Sequence, residues 1–222
     1  MYIPLKLPPG IYRNGTEYQS AGRWFDANLV RWYENTLRPI GGWRKKSATQ
    51  LTGSCRGLLT WRDNDADRWI AAGTHSKLFA LNEAGTVKDI TPTGFTVGAA
   101  DAVVKTGYGY STYGNFAYGV ARPDSSSITP ATTWSMDTWG EYLVACSNAD
   151  GKLYEWQLGF STPTIAAAIV NAPTNNKALL VTSERILFAL GASGNPRKVA
   201  WSDQEDNTSW TAAGDNQAGD YE

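Results

Sequence analysis

The sequence predicts an all-β fold: propeller-like repeats of short antiparallel sheets, preceded by an extended N-terminal arm. Three observations predict it. From about residue 50, short runs rich in β-branched and aromatic residues alternate with Gly, Asn, Asp, Ser and Pro. No run in that region keeps a helical period over the roughly ten residues a helix needs. The hairpin-like stretches also repeat one another at intervals of 33 to 38 residues.

The arm covers residues 1–46. Pro4, Pro8 and Pro9 favour extended backbone, and Asn14-Gly15 signals a turn. Arg23 to Tyr33 (RWFDANLVRWY) carries apolar residues at 25, 29, 32 and 33, which predicts a short helix face. Pro39 and Gly41-Gly42 stop it. The arm has too little apolar mass to form a domain, so it is expected to pack on the body or on a neighbouring subunit. It holds eight Lys or Arg against three acids, whereas the rest holds twelve against eighteen. A basic arm ahead of an acidic body suits contact between copies.

The body, residues 47–222, is read as a β-propeller-like domain, incomplete or closed by another chain. Its clear strands are Trp69 to Gly73, Lys77 to Leu81, Tyr142 to Cys146, Lys152 to Trp156, Ala178 to Val181, and Ile186 to Leu190. They pair as IAAGTHSKLFAL, LVACSNADGKLYEW and LLVTSERILFAL, with Phe79, Tyr154 and Phe188 in one recurring place. Phe116 splits the long first gap, and Tyr221 continues the series. Such a unit is close to a propeller blade, which takes about 40–45 residues in familiar repeats. Trp61, Trp134 and Trp201, each followed by an acidic turn, form a second series suited to sealing seams between blades. This counting gives about four units over 50–202 and the start of a fifth. The tail, AGDNQAGDYE, offers no evident closing strand. A neighbouring chain, the arm or further sequence is expected to close the sheet.

Composition narrows the function. The 222 residues are 42% apolar and 18% charged, with ten Trp, eleven Tyr and six Phe, and a formal net charge of -1. That excludes a disordered tail. No apolar run approaches the roughly 20 residues of a spanning helix. The opening MYIPLKLPPG lacks the basic start and apolar run of a secretory signal, so folding in a reducing cytoplasm is expected. Cys55 and Cys146 are too few for a disulfide scaffold and read as buried thiols.

Residues that might carry chemistry are sparse. His75, the single histidine, falls in a hairpin turn, so no His-based metal cluster forms. GSCRG at 53–57 places Cys at the centre of a nucleophile-elbow pattern with no helix after it. Asp63, Asp65 and Asp67 alternate like early calcium ligands, without the later Gly and Glu of such a loop. Asp203, Glu205 and Asp206 follow Trp201 in the same manner. Glu155, between Tyr154 and Trp156, is the one acid in an apolar strand, where glycoside hydrolysis needs two. Residues 105–119 (KTGYGYSTYGNFAYG) are Gly- and Tyr-rich but lack a phosphate-loop pattern. Arg44, Lys45 and Lys46 confer little nucleic-acid affinity alone. No cofactor, metal or enzymatic activity is expected.

The text of the arm resembles the opening of virion proteins of tailed bacteriophages. The matching residues are Pro9-Gly10, Asn14-Gly15-Thr16, Tyr18, Gly22-Arg23-Trp24 with Asp26, Val30-Arg31, Arg38-Pro39 and Gly41-Gly42-Trp43. Thr74 to Leu78, and Trp201-Ser202-Asp203 followed by Trp210, are similar to the same proteins. The family is the tail tubular or nozzle type, which carries β-propellers. The resemblance implies a structural subunit of the tail tube or nozzle ring, about six copies around the genome path. It implies neighbours such as an adaptor or a fibre, and DNA that passes without sequence-specific binding. It places the protein in the virion, assembled in the host cytoplasm. Members of that family are several times longer, so this chain corresponds to the arm and the first blades. Arg23, Trp24, Arg31, Trp32, Arg38 and Trp43 are the expected interface residues, because Arg and Trp dominate interface energetics. A carbohydrate-binding tail fibre or receptor-binding propeller, and beyond it a glycosidase, is the alternative.

Overall fold

The computed structural model describes residues 10–42, 44–47, 49–104, 128–159 and 165–222. The chain divides into two compact units, Met1–Lys45 and Lys46–Glu222.

In the first unit, a turn over residues 16–23 is held by Gln19 and Arg23 N–H groups donating to the Thr16 and Ser20 carbonyls. Tyr12 N–H donates to the Trp24 carbonyl, and Arg13 pairs with Asp26 at 3.0 Å. The helix expected over 23–33 is not there. Strand β1 (Val30–Tyr33) instead pairs antiparallel with β2 (Thr36–Pro39) across Glu34-Asn35. Both turn residues have positive φ, 47° and 57°, the geometry of a two-residue hairpin turn. Leu29, at φ 56°, breaks any helical run entering it. Pairing with 36–39 won over a spacing that both conformations tolerate. Among the described arm residues only Ser20 is buried, so they form no apolar core among themselves.

The second unit is built of antiparallel sheets. Sheet 1 holds β3 (Cys55–Arg62), β4 (Arg68–Thr74), β5 (Leu78–Asn82) and β6 (Val87–Asp89) in chain order. Two residue pairs form the small β7 (Val103–Val104) and β8 (Ile128–Thr129) ladder. Sheet 2 holds β9 (Trp134–Trp139), β10 (Tyr142–Ser147), β11 (Leu153–Trp156) and β12 (Ala167–Ala168). Sheet 3 holds β13 (Ala178–Val181), β14 (Leu187–Leu190), β15 (Val199–Trp201) and β16 (Gly219–Tyr221). Each is a simple meander. The helical content of the described residues is one 3-10 turn, Ala192–Gly194.

The sheets stack in series. The first strands are neighbours, with β9 between β3 and β13. One core joins sheets 1 and 2 through Trp69, Ala71, Leu78, Trp134, Leu143 and Trp156. The other joins sheets 2 and 3 through Trp139, Val144, Leu153, Leu179, Leu187 and Ala200. Alternation along each strand sends successive residues to opposite faces, so sheet 2 is buried on both. Burying each large apolar side chain contributes about 1.5–3 kcal/mol.

Two glycines set the first seam. A Cβ on Gly73 would lie 2.4 Å from the Trp134 ring, and one on Gly57 2.8 Å from its Cβ. The indole fills that space, and its Nε1–H donates to the Thr74 carbonyl at 2.7 Å. Phe95 stacks on Trp134 at 5.2 Å, and Trp69 meets Trp156 edge-on at 5.6 Å.

The repeat is real for two units and fails for the third. Phe79 and Tyr154 both lie on the third strand of their sheets, but Phe188 lies on the second strand of sheet 3. Tyr221 belongs to the last strand of that same sheet, so 178–221 is one unit and the tail supplies its edge. Sheets 1 and 2 pack directly on each other. The unit expected around Phe116 lies outside the described residues. Nor are the tryptophans equivalent. Trp61 and Trp134 are in the first seam, whereas Trp201 is on the third strand of sheet 3.

Candidate functional site

The expected interface residues fall on the arm hairpin and the turn before it. Strand pairing sets Arg31 opposite Arg38, both exposed. With Tyr33 they share one face, and the Arg38 guanidinium sits 4.7 Å from the Tyr33 ring centre. Trp32 lies opposite Leu37 on the other face, half-buried. Arg23 is exposed, its guanidinium 5.6 Å from the Tyr12 ring. Trp24 is half-buried and holds the Tyr12 strand through its carbonyl. Trp43 lies outside the described residues. The structure thus brings Arg31 and Arg38 together and leaves Arg23 and Trp24 on the adjoining turn. Like charges directly opposite on a strand pair repel. Among the described residues neither Arg31 nor Arg38 has an acidic partner.

The second unit has a matching pair that the sequence reading passed over. Arg62 and Arg68 stand directly opposite at the end of β3 and the start of β4, both exposed. The signal was present in RDNDADR, where two arginines flank a tight turn.

The acidic loops serve the fold. Asp63 accepts from the Asp67 N–H at 2.9 Å and from the Trp69 indole N–H at 2.8 Å. Asp203 accepts from the Gln204 and Gln217 N–H groups at 2.8 Å each. Asp206 takes the Thr208 N–H and hydroxyl, which hold its carboxyl below the usual range. Among the described residues no group of three His, Cys, Asp or Glu side chains is placed to hold a metal.

His75 sits in the turn expected of it, where the Thr74 hydroxyl accepts from the Lys77 N–H at 3.0 Å. The cysteines differ from expectation: Cys146 is buried but Cys55 is exposed. Its bulged position at the edge of β3 leaves its side chain uncovered. Burial pushes the Cys146 thiol up to about 12, with the Asp150 charge adding and Lys177 opposing.

Glu155 lines an open groove of about 310 Å³ at the outer strands of sheet 2. Its carboxylate accepts from Gln157 Nε2 at 3.0 Å and from Asn207 Nδ2. Among the described lining residues it is the one acid, and none is aromatic. One carboxylate held by two amides can bind a donor but cannot divide acid and base roles.

Fold and surface together define an all-β scaffold of stacked four-stranded sheets with exposed arginine pairs and exposed apolar side chains on the end faces. No known family model, curated protein or solved structure matches the chain. Among the described residues no helix is long and apolar enough to cross a membrane.

Proposed function

We propose that this chain is a non-enzymatic structural subunit of a bacteriophage tail. It belongs to the tube or nozzle ring around the genome path, with about six copies meeting through the arm. The stacked sheets act as part of a propeller, and an adaptor or fibre binds the assembled ring. The observation that carries this reading is the arm: Arg31 and Arg38 opposed on an exposed hairpin, in the stretch whose residues resemble phage nozzle proteins. Two guanidiniums with no acidic partner among the described residues favour a partner that supplies one. An acidic body beyond the arm on a neighbouring copy provides that chemistry, and its charge also keeps passing DNA from adhering. The Glu155 groove, lacking an aromatic platform, gives the sugar-binding alternative little support.

The test is the mass of the native assembly by light scattering, with electron microscopy of purified particles. A ring of about six copies, lost on Arg31→Glu with Arg38→Glu, supports the reading. A protein absent from every particle, whose mass those changes leave alone, overturns it.

A further inference from the structure

The sheet stack has a direction. Sheet 2 packs on sheet 1 with one face, its trailing face, and on sheet 3 with the other, its leading face. The trailing face of sheet 2 carries two cross-strand rows, Met136–Ala145–Tyr154 and Thr138–Leu143–Trp156. Sheet 1 carries the same two rows on its own first three strands: Leu58–Ala72–Phe79 and Thr60–Ile70–Leu81. Position for position, this is the face with which sheet 2 grips its neighbour. In sheet 1, Phe79 and Ala72 are buried, but Leu58 is 64% exposed and Ile70 and Leu81 are half-buried.

The other end of the stack mirrors this. The leading face of sheet 3 presents Leu180, Phe188, Leu190, Val199, Trp201 and Tyr221. Leu180 is 39% and Tyr221 74% exposed, and Phe188 stacks on Trp201 at 5.9 Å. The Trp201 ring lies over Gly219, where a Cβ would come within 2.8 Å.

Charge completes the match. At one end of the stack, each first-hairpin turn reaches back to the preceding sheet. In the first turn of sheet 2, the Glu141 backbone carbonyl accepts from the Trp61 indole N–H of sheet 1 (3.0 Å), and its carboxylate from the Asn64 N–H in the first turn of sheet 1 (3.4 Å). Arg185 of sheet 3 lies 5.3 Å from the Trp139 ring centre on sheet 2. The sheet 3 turn also carries exposed Glu184. Its own backbone N–H and the Ser183 and Thr182 side chains hold that carboxyl below its usual range, so it is ionised. On the trailing face of sheet 1, at the same end, stand Arg62 and Arg68, opposed, exposed and without an acidic partner among the described residues. Continuing the stacking pattern by one step brings these arginines to Glu184.

We propose that two copies of this chain join head to tail, the leading face of sheet 3 seating on the trailing face of sheet 1 of a second copy. A twofold axis makes both junctions at once. Two copies supply six of the described four-stranded sheets, within the four to eight blades with which propellers close, and the end faces and inner edges are then shared. The inference rests on the stacking of the sheets and not on the tail reading, so a pair can form in a protein that enters no particle.

The experiment is sedimentation velocity with light scattering on the purified 222-residue chain, alone and as Leu58→Glu and Leu180→Glu variants. With the arm contact removed by Arg31→Glu and Arg38→Glu, the chain is expected at twice its 24.2 kDa, and the unaltered chain at that pair or a multiple of it. Each variant, native by circular dichroism, is expected to weaken pairing by about tenfold or more. Mixing the two variants restores one unaltered junction, so the mixture pairs more tightly than either alone. Glu184→Arg weakens the pair, and adding Arg62→Glu with Arg68→Glu recovers it. A monomer at every concentration overturns the proposal. So does a larger or equal assembly that neither Glu variant disturbs, or a mixture that gains nothing. Should either Glu variant misfold, the charge exchange at 184, 62 and 68 decides alone, and failure to recover overturns it.

Discussion

At the scale of single residues, the first seam depends on what two glycines lack. The Trp134 indole occupies the volume a side chain on Gly73 would need, at 2.4 Å from its Cβ position. Gly73→Ala is therefore expected to cost about 1–3 kcal/mol, the range for overpacking a filled core. Urea unfolding followed by tryptophan fluorescence measures it, and Ala at exposed Gly214, with nothing near its Cβ position and no positive φ, serves as the overpacking control. The two thiols give a second residue-level prediction. Exposed Cys55 should react with a thiol reagent in the native protein, and buried Cys146 only after denaturation. Cys146 also shapes the alkaline limb of stability. Its thiol goes from an ordinary 9.0 to about 12 in the fold, mainly by burial. The native state therefore holds a proton that the unfolded state releases, and stability present below pH 9 is lost as pH rises toward 12. Tyr154 acts in the same sense. Burial first, and then its hydrogen bond to the Asp150 carboxylate, push its phenol up. Cys146→Ala is expected to flatten the fall in urea midpoint between pH 9 and 10.5, leaving the Tyr154 part.

At the scale of elements, the second seam is tied by side chains that replace a backbone ladder. Ser135 on β9 donates through Oγ to the Leu179 carbonyl at 2.9 Å and accepts from its N–H at 3.2 Å. Asp137, two residues on, accepts from the Val181 N–H at 2.8 Å. The inner strand β13 thus has its free edge satisfied by β9 without pairing to it. Ser135→Ala removes both bonds of the first tie and is expected to cost about 1–2 kcal/mol. Hydrogen exchange gives the sharper readout: the Leu179 amide should lose protection while the Ile169 amide, which donates to the Leu153 carbonyl at 2.9 Å, keeps it. An unchanged Leu179 amide would show that the Ser135 tie contributes nothing. The element scale is also where a helix was expected and a hairpin formed. Apolar residues at 25, 29, 32 and 33 suit a helix face, but Val30 and Trp32 are equally at home in a strand. Pairing with Thr36–Pro39 through a positive-φ turn decided between them.

At the scale of the molecule, both cores lie wholly within residues 46–222. Deleting residues 1–45 is expected to leave that unit folded, with a thermal midpoint within about 4 °C of the whole chain, since about 1 kcal/mol moves a domain of this size by that much. Scanning calorimetry checks it, and loss of the transition would mean that the arm completes the core. The same deletion should abolish any assembly the arm builds while leaving head-to-tail pairing in place. How much of this was legible varies with locality. All six strands read from the sequence, from Trp69 to Leu190, stand within a residue or two of their expected places. Their turns carry Gly, Asn and Ser signals, and their alternation is local. The edge strands β6, β12 and β16 are two or three residues long and owe their existence to a neighbour's free ladder. The arginines were legible as types but not as pairs, because only the register of β1 with β2 and β3 with β4 sets them opposite.

By itself the sequence determined the all-β class and the central hairpins. Those follow from composition, short-range alternation and turn residues, which act within a few positions of the chain. The tertiary structure alone decided which described strands share a sheet, the stacking order of those sheets and which of their faces meet. Phe79, Tyr154 and Phe188 look alike in the text, yet two occupy equivalent sites and the third does not. A side chain's place in a stack is fixed by strand register and by which sheet arrives against it. Both are contacts between residues far apart in sequence, paid for in loop closure and recovered only when the large aromatic and small residues of facing sheets fit.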